Sequence, residues 1–143
     1  MTFDLLFSTA STAALCGWLA LALLPRWPWL IASLRFGLIG GLSLAYAVLI
    51  LVFFFRIDGG DFGSIGQVRA IFTSDAGLLA GWIHYLAFDL FIGCWIAQEA
   101  DRRGYNRLLQ VPILLATFMF GPLGLLMFYL IAAADRALTS RKA

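Results

Sequence analysis

Four stretches of this chain are apolar for about twenty residues or more, and the polar residues gather between them. The first runs from Phe3 to Leu24 and ends at Pro25-Arg26-Trp27-Pro28. The second runs from Leu34 to Phe55 and stops at Arg56-Ile57-Asp58-Gly59-Gly60. The third covers Gly77 to Ala97, before Gln98-Glu99-Ala100-Asp101-Arg102-Arg103. The fourth covers Leu108 to Ala134 and ends at Asp135-Arg136. A helix rises about 1.5 Å per residue, so about 20 apolar residues cross a hydrocarbon core of about 30 Å. The runs are too long, and alternate too little, to be strands of a membrane barrel. The pattern predicts an all-α integral membrane protein, with residues 1–143 forming a single multi-pass domain built as a four-transmembrane-helix bundle.

Between the spans, only residues 56–76 form a sizeable loop. Ile65, Val68, Ile71 and Phe72 recur there at helical spacing beside Gln67 and Arg69, which fits a short helix lying in the membrane interface. Trp27, Trp29, Trp82 and Trp95 stand near the expected span ends, as an aromatic belt would place them. Gly37-xxx-Gly41 and Gly77-xxx-Gly81 allow close helix approach. Those faces could meet within the chain or between copies, which leaves a homo-oligomer or a subunit of a membrane complex open.

Composition agrees with the pattern. The chain is 62% hydrophobic and 13% charged, with mean hydropathy +0.92. A soluble domain is about 45–50% apolar and about 25% charged, so these few charges cannot cover a water-facing shell. The ten Lys and Arg are scattered over every polar segment, with no stripe for nucleic acid. Cys16 and Cys94 both lie inside apolar runs, which speaks against a disulfide framework or a metal-binding pair. Met1-Thr-Phe-Asp lacks the basic start of a secretory signal, so the first run is expected to be a retained span. With four crossings both termini share a side, and the basic residues then divide five to five between the two faces. The positive-inside rule names neither face as cytoplasmic.

Two ionisable residues lie well inside a span, His84 and Asp89, and both belong to the third. Such groups are costly in hydrocarbon and usually face a bundle interior or a cavity. Asp89 falls near the centre of its span. Tyr85 and Trp82 share its face at spacings of four and seven, whereas His84 points about 140° away, with Phe88, Phe91 and Trp95. The pair therefore meets in one site only if the helix enters a pocket edge-on. With spans alternating in direction, Ser8, Ser11, Thr12, Tyr46, His84, Tyr85 and Tyr129 fall in the membrane half next to loop 56–76. That inventory predicts one half-membrane cavity floored near Asp89. In the fourth span Gly121-Pro122 interrupts the helix; Pro122 frees the carbonyl of Phe118, an acceptor that a protonated Asp89 could reach. Asp58, Asp61 and Asp75 match no metal-ligand signature, and no metal or other cofactor is expected.

The run Gly81-Trp-Ile-His-Tyr-Leu-Ala-Phe-Asp-Leu-Phe-Ile-Gly93 resembles the hallmark of the abscisic-acid-deficient-four-like family, named for the plant neoxanthin synthase. Pro112, the segment Thr117-Phe-Met-Phe-Gly-Pro-Leu-Gly124, and Leu23-Leu-Pro-Arg26 between Trp18 and Trp27 resemble it as well, so the likeness covers nearly the whole chain. The resemblance implies a membrane-embedded protein acting on a lipid-soluble carotenoid or isoprenoid, as an isomerase using acid/base chemistry. Among plant members the implied reaction opens the epoxide of violaxanthin and leaves an allene, with no redox cofactor. On that reading His84, Asp89 and Tyr85 are the candidate catalytic residues; Trp82, Phe88, Tyr46, Gly121 and Pro122 line the substrate. The chain looks like a bacterial-type member, because no plastid transit segment precedes the first span. The expected location is the cytoplasmic or intracytoplasmic membrane. The alternative is a non-catalytic pigment-binding accessory subunit or assembly factor. A small transporter would need polar residues through both membrane halves, and here they stop near the middle.

Overall fold

A computed structural model describes residues 2–56 and 60–140, without the side chain of Phe55. Asp58 of the loop and Arg141 and Lys142 of the tail lie outside the described residues. The fold is all-helical. We label the helices α1 (Phe3–Leu23), α2 (Pro28–Phe53), α3 (Ile65–Thr73), α4 (Asp75–Arg102), α5 (Arg107–Phe120) and α6 (Pro122–Ser140). Four of them, α1, α2, α4 and α6, are long and apolar enough to cross a membrane. Phe36, Leu51 and Leu108 are 84, 74 and 83% exposed on the outside of the bundle, a surface suited only to lipid.

Polar side chains set the helix starts. Thr2, Ser64, Ser74 and Asn106 each accept a hydrogen bond from a backbone N–H of the first turn of α1, α3, α4 and α5. Pro28 opens α2, where its missing N–H costs nothing. That helix begins before the expected Leu34, and its turn Ser33–Ile39 is widened to i→i+5 bonding, with Gly40 N–H donating to the Arg35 carbonyl. At the end of α4, Gly104 takes φ +72°, and Tyr105 N–H closes on the carbonyl of Ala100.

Helix α4 is the axis of the molecule and packs against every other helix. Its glycines admit neighbours that a Cβ would exclude. The Trp18 ring of α1 lies on Gly93, Gly77 sits against the Ile71 carbonyl, and Gly81 sits against the Phe72 ring. The Gly77-xxx-Gly81 pair thus serves the contact with α3, which is the short helix expected in the loop. A Cβ at Gly37 or Gly41, by contrast, would meet no described atom within 4 Å.

The fourth apolar stretch is not one span. A continuous helix would place Tyr105 and Asp135 about 45 Å apart, yet the Tyr105 hydroxyl donates to Asp135 Oδ2 at 3.2 Å. Trp95 packs edge-on against Phe128 with ring centroids 5.5 Å apart, and Gly124 is pressed onto the backbone of Thr117. Helices α5 and α6 therefore form an antiparallel hairpin, turning at Gly121, that enters the bundle and returns to the side it came from. Three helices, α1, α2 and α4, run from one side of the bundle to the other. This corrects the expected span Leu108 to Ala134. Tyr129 moves with it: it lies beside Trp95, in the half away from loop 56–76.

On the hairpin's open side, Arg26 locks the α1–α2 bend to both α4 and α5. Its guanidinium donates to the Leu21 carbonyl at 3.2 Å, the Ala97 carbonyl at 3.1 Å, the Asp101 carboxylate at 2.9 Å, and Gln110 Oε1. Gln110 is fully buried, and its amide donates to Asp101 at 2.9 Å and to the Tyr105 carbonyl at 2.8 Å. Burial pushes the Arg26 guanidinium below its ordinary pKa, and Asp101 pulls it back up. Replacing Arg26 with Ala strands buried acceptors at a cost of about 1–3 kcal/mol. Arg26→Lys should recover only part of the loss, because one ammonium cannot reproduce a planar fork. Thermal unfolding of the detergent-solubilised variants, followed by circular dichroism, checks the order wild type, Lys, Ala.

Candidate functional site: the tip of the hairpin

The turn between α5 and α6 is made by Gly121 at φ +46° and ψ −92°. Side chains rarely adopt a positive φ, and glycine does so at no steric cost. A second constraint acts here. A Cβ at position 121 would stand 2.5 Å from Asp89 Oδ1 and 2.9 Å from Oδ2. The aspartate of α4 and the backbone of the turn are thus in direct contact at the middle of α4.

Two helix ends meet α4 at this level, and each meets a side chain of the matching kind. The carboxyl end of α5 presents carbonyls left over by Pro122 and the turn. The Tyr85 hydroxyl lies 2.9 Å from the Phe118 oxygen and 3.0 Å from the Met119 oxygen, so it donates to this end. The amino end of α6 carries the positive pole of its helix dipole, and the Asp89 carboxyl lies against Gly121, immediately before that end. A donor faces the negative end and an acid the positive end, one turn apart on α4. The carbonyl freed by Pro122 is therefore engaged by Tyr85 rather than by Asp89.

Asp89 is 9% exposed, and its Oδ2 is buried without a hydrogen-bond partner. Buried polar atoms are nearly always satisfied, which singles out this oxygen as a candidate proton carrier or ligand contact. Trp82 stacks on Tyr85 at 5.5 Å between ring centroids, and its indole donates to Ser11 Oγ at 2.9 Å. Beyond Trp82 a cleft of about 650 Å³ opens between α1 and α4, lined by Thr2, Phe3, Asp4, Phe7, Asp75 and Leu78 among others. Trp82 lines this cleft and links it to the hairpin tip through its stack on Tyr85, while Tyr85, Asp89 and Gly121 do not line it.

The other expected site residues lie elsewhere. His84 is on another face of α4, stacked on Phe88 at 4.4 Å and beside Tyr46 at 5.4 Å. It lines a different cavity, between α2, α3 and α4. Of the expected set, Asp89, Tyr85, Trp82, Gly121 and Pro122 come together; His84, Phe88 and Tyr46 form a second group. In place of the single cavity floored near Asp89 that the sequence predicts there are two, and neither is lined by Asp89 or Tyr85. Sequence reasoning missed Trp18, whose ring packs on Phe118 at 5.7 Å and on Gly93, and so supports the tip from α1. It missed Thr117 and Gly124 as well, the contact that closes the hairpin. A threonine and a glycine seven residues apart in a helical run carry no signal of contact until the turn between them is known. Among the described residues, no three His, Cys, Asp or Glu gather where they could hold a metal ion.

No curated protein and no solved structure matches the chain. The family model described as ABA DEFICIENT 4-like matches residues 5–128, from the first helix through Phe128 of α6, and the chain belongs to that family.

Proposed function

We propose that this protein binds a lipid-soluble carotenoid or isoprenoid within the bilayer and isomerises it by proton transfer at Asp89 and Tyr85. Its family relates it to neoxanthin synthase-like proteins, and the substrate class rests on that relation. The observation that carries the chemistry is the hairpin tip, where an aspartate with an unpartnered buried oxygen and a tyrosine hydroxyl are held one turn apart.

For an epoxide the step balances without a redox partner. One group gives a proton to the epoxide oxygen as the carbon–oxygen bond breaks, and the bonding pair stays on oxygen. A second group removes a proton from carbon, and that bonding pair becomes the new double bond. Asp89 supplies a carboxyl that can carry a proton either way, and Tyr85 supplies a hydroxyl already oriented by the carbonyls of α5. The substrate enters from lipid through the cleft beside Trp82. His84 lies on another face of α4, exposed beside Phe88 and Tyr46, and takes no part in this step.

Asp89→Asn keeps the shape of the side chain and removes the acid. General acid–base groups contribute about 10²–10⁴ in rate, so this variant should lower turnover by that order and Tyr85→Phe by less. Deleting the gene in its host should change the carotenoid profile seen by chromatography, and wild type but not Asp89→Asn should restore it. A profile that the deletion leaves unchanged removes the enzymatic reading. Restoration by Asp89→Asn as full as by wild type favours a pigment-binding or assembly role.

A further inference from the structure

The cavity that His84 lines has a volume of about 250 Å³ and three walls. Helices α2 and α3 contribute large side chains such as Phe53 and Phe72, and helix α4 contributes Ala76, Gly77, Ala80 and Gly81. The hollow is written into α4, where four small residues face large ones on its neighbours. Phe54 and Phe62, stacked at 5.5 Å, close the rim near the α3 end.

Every other lining side chain is apolar; the two polar ones, Tyr46 and His84, sit side by side with ring centroids 5.4 Å apart. Neither makes a hydrogen bond to any described residue, although every other tyrosine in the chain except Tyr129 does. His84 lies about 7–8 Å along α4 from the mid-helix Asp89 and is exposed on the outer side of the bundle. A polar group without a partner in hydrocarbon costs several kcal/mol. Two such groups side by side at the edge of an apolar hollow can together hold one ligand oxygen. A phenol that donates and an imidazole nitrogen that accepts are both satisfied by one alcohol, which receives from Tyr46 and donates to His84. A carbonyl or an ether can only accept, from the phenol or from the imidazole N–H, whereas an alcohol can also donate to the bare imidazole nitrogen.

We propose that this cavity is a binding site, separate from the hairpin tip, for the hydroxyl-bearing end of a lipid-soluble alcohol, with Tyr46 and His84 holding the hydroxyl. At about 30 Å³ for each water-sized group, the cavity takes about eight to ten non-hydrogen atoms. That is one ring or two isoprene units, and any longer remainder of the ligand lies outside among the acyl chains. The site does not depend on chemistry at Asp89.

His84 is the only histidine in the chain, so ¹⁵N-histidine labelling reports on this site alone. The full-length protein in lipid nanodiscs is titrated with menthol, a cyclic alcohol whose ring and hydroxyl the cavity can take, and with p-menthane, which lacks only the oxygen. Menthol should move the imidazole ¹⁵N resonance saturably, and p-menthane should not. Tyr46→Phe, a change that leaves the packing intact, should weaken menthol about three- to tenfold, the worth of one hydrogen bond. Ala80→Phe, which fills the hollow, should abolish the response. Asp89→Asn should leave it unchanged, which separates this site from the hairpin-tip reading. A shift that rises without saturation, or equals that of p-menthane, reflects partition into the bilayer and overturns the proposal. An unaltered affinity in Tyr46→Phe overturns it too.

Discussion

A fluorescent protein joined to the carboxyl terminus will fluoresce in the cytoplasm, and a tag at the amino terminus will be reached only from the opposite side. The reason is the hairpin. With α5 and α6 returning to one face, three of the four membrane-length helices, α1, α2 and α4, run from one side of the bundle to the other. Arg26, Arg35, Arg102, Arg103, Arg107 and Arg136 then lie toward one face, and Arg56 and Arg69 toward the other. Among the described residues the division is six against two, and the positive-inside rule names the six-arginine face as cytoplasmic. Loop 56–76 and both cavities then open toward the non-cytoplasmic half of the membrane. A phosphatase that needs disulfides to fold gives the reciprocal readout, active at the amino terminus and inactive at the carboxyl terminus. Labelling of Asp61→Cys and Ala137→Cys by a reagent that does not cross membranes supplies a third check. Two termini on the same side would mean that the hairpin opens into a full crossing.

How the hairpin escaped the sequence is instructive. Hydropathy measures whether a residue tolerates lipid, and both legs of a re-entrant hairpin tolerate it as well as a span does. Length held a clue, since 27 apolar residues from Leu108 to Ala134 make about 40 Å of helix for a core of about 30 Å. A tilted helix absorbs that excess, so length alone does not decide. Pro122 signals an interruption, but proline kinks more often than it reverses. What turns the kink into a reversal is Gly121 at positive φ together with the missing Cβ at Gly124, and those contacts are tertiary. The faces of α4 were more legible. Trp82, Tyr85 and Asp89 fall together because their spacing follows the helical period, and His84 and Phe88 stack on another face for the same reason. What periodicity could not give was the identity of the opposing surface. Asp89 meets a helix amino end, and Tyr85 meets the carbonyls that Pro122 leaves free.

The hairpin also sets the second large effect. At Gly124 a Cβ would overlap the hydroxyl and backbone nitrogen of Thr117 and lie 2.6 Å from its Cα. These are backbone atoms and a hydroxyl already bonded to the Ile113 carbonyl at 2.8 Å, so no flexible side chain can step aside. Gly124→Leu must push α5 and α6 apart. Overpacking costs about 1–3 kcal/mol where a core can relax, and a rigid contact belongs at the upper end. For a chain of this size that corresponds to a fall in Tm of roughly 4–12 °C. Leu123→Ala beside it should be nearly neutral, because Leu123 is exposed to lipid. The consequence at the site is sharper than the loss of stability. Separating the legs shifts Gly121 from Asp89 and the α5 carbonyls from Tyr85, so proton-transfer activity should fall even at temperatures where Gly124→Leu remains folded. Gly124→Ala, which adds only the overlapping methyl, should lie between wild type and Gly124→Leu in both measurements. Thermal unfolding and pigment conversion measured on the three proteins would then fall in the same order. If Gly124→Leu kept both the stability and the conversion of the wild type, Thr117 and Gly124 would not be the contact that holds the tip in place.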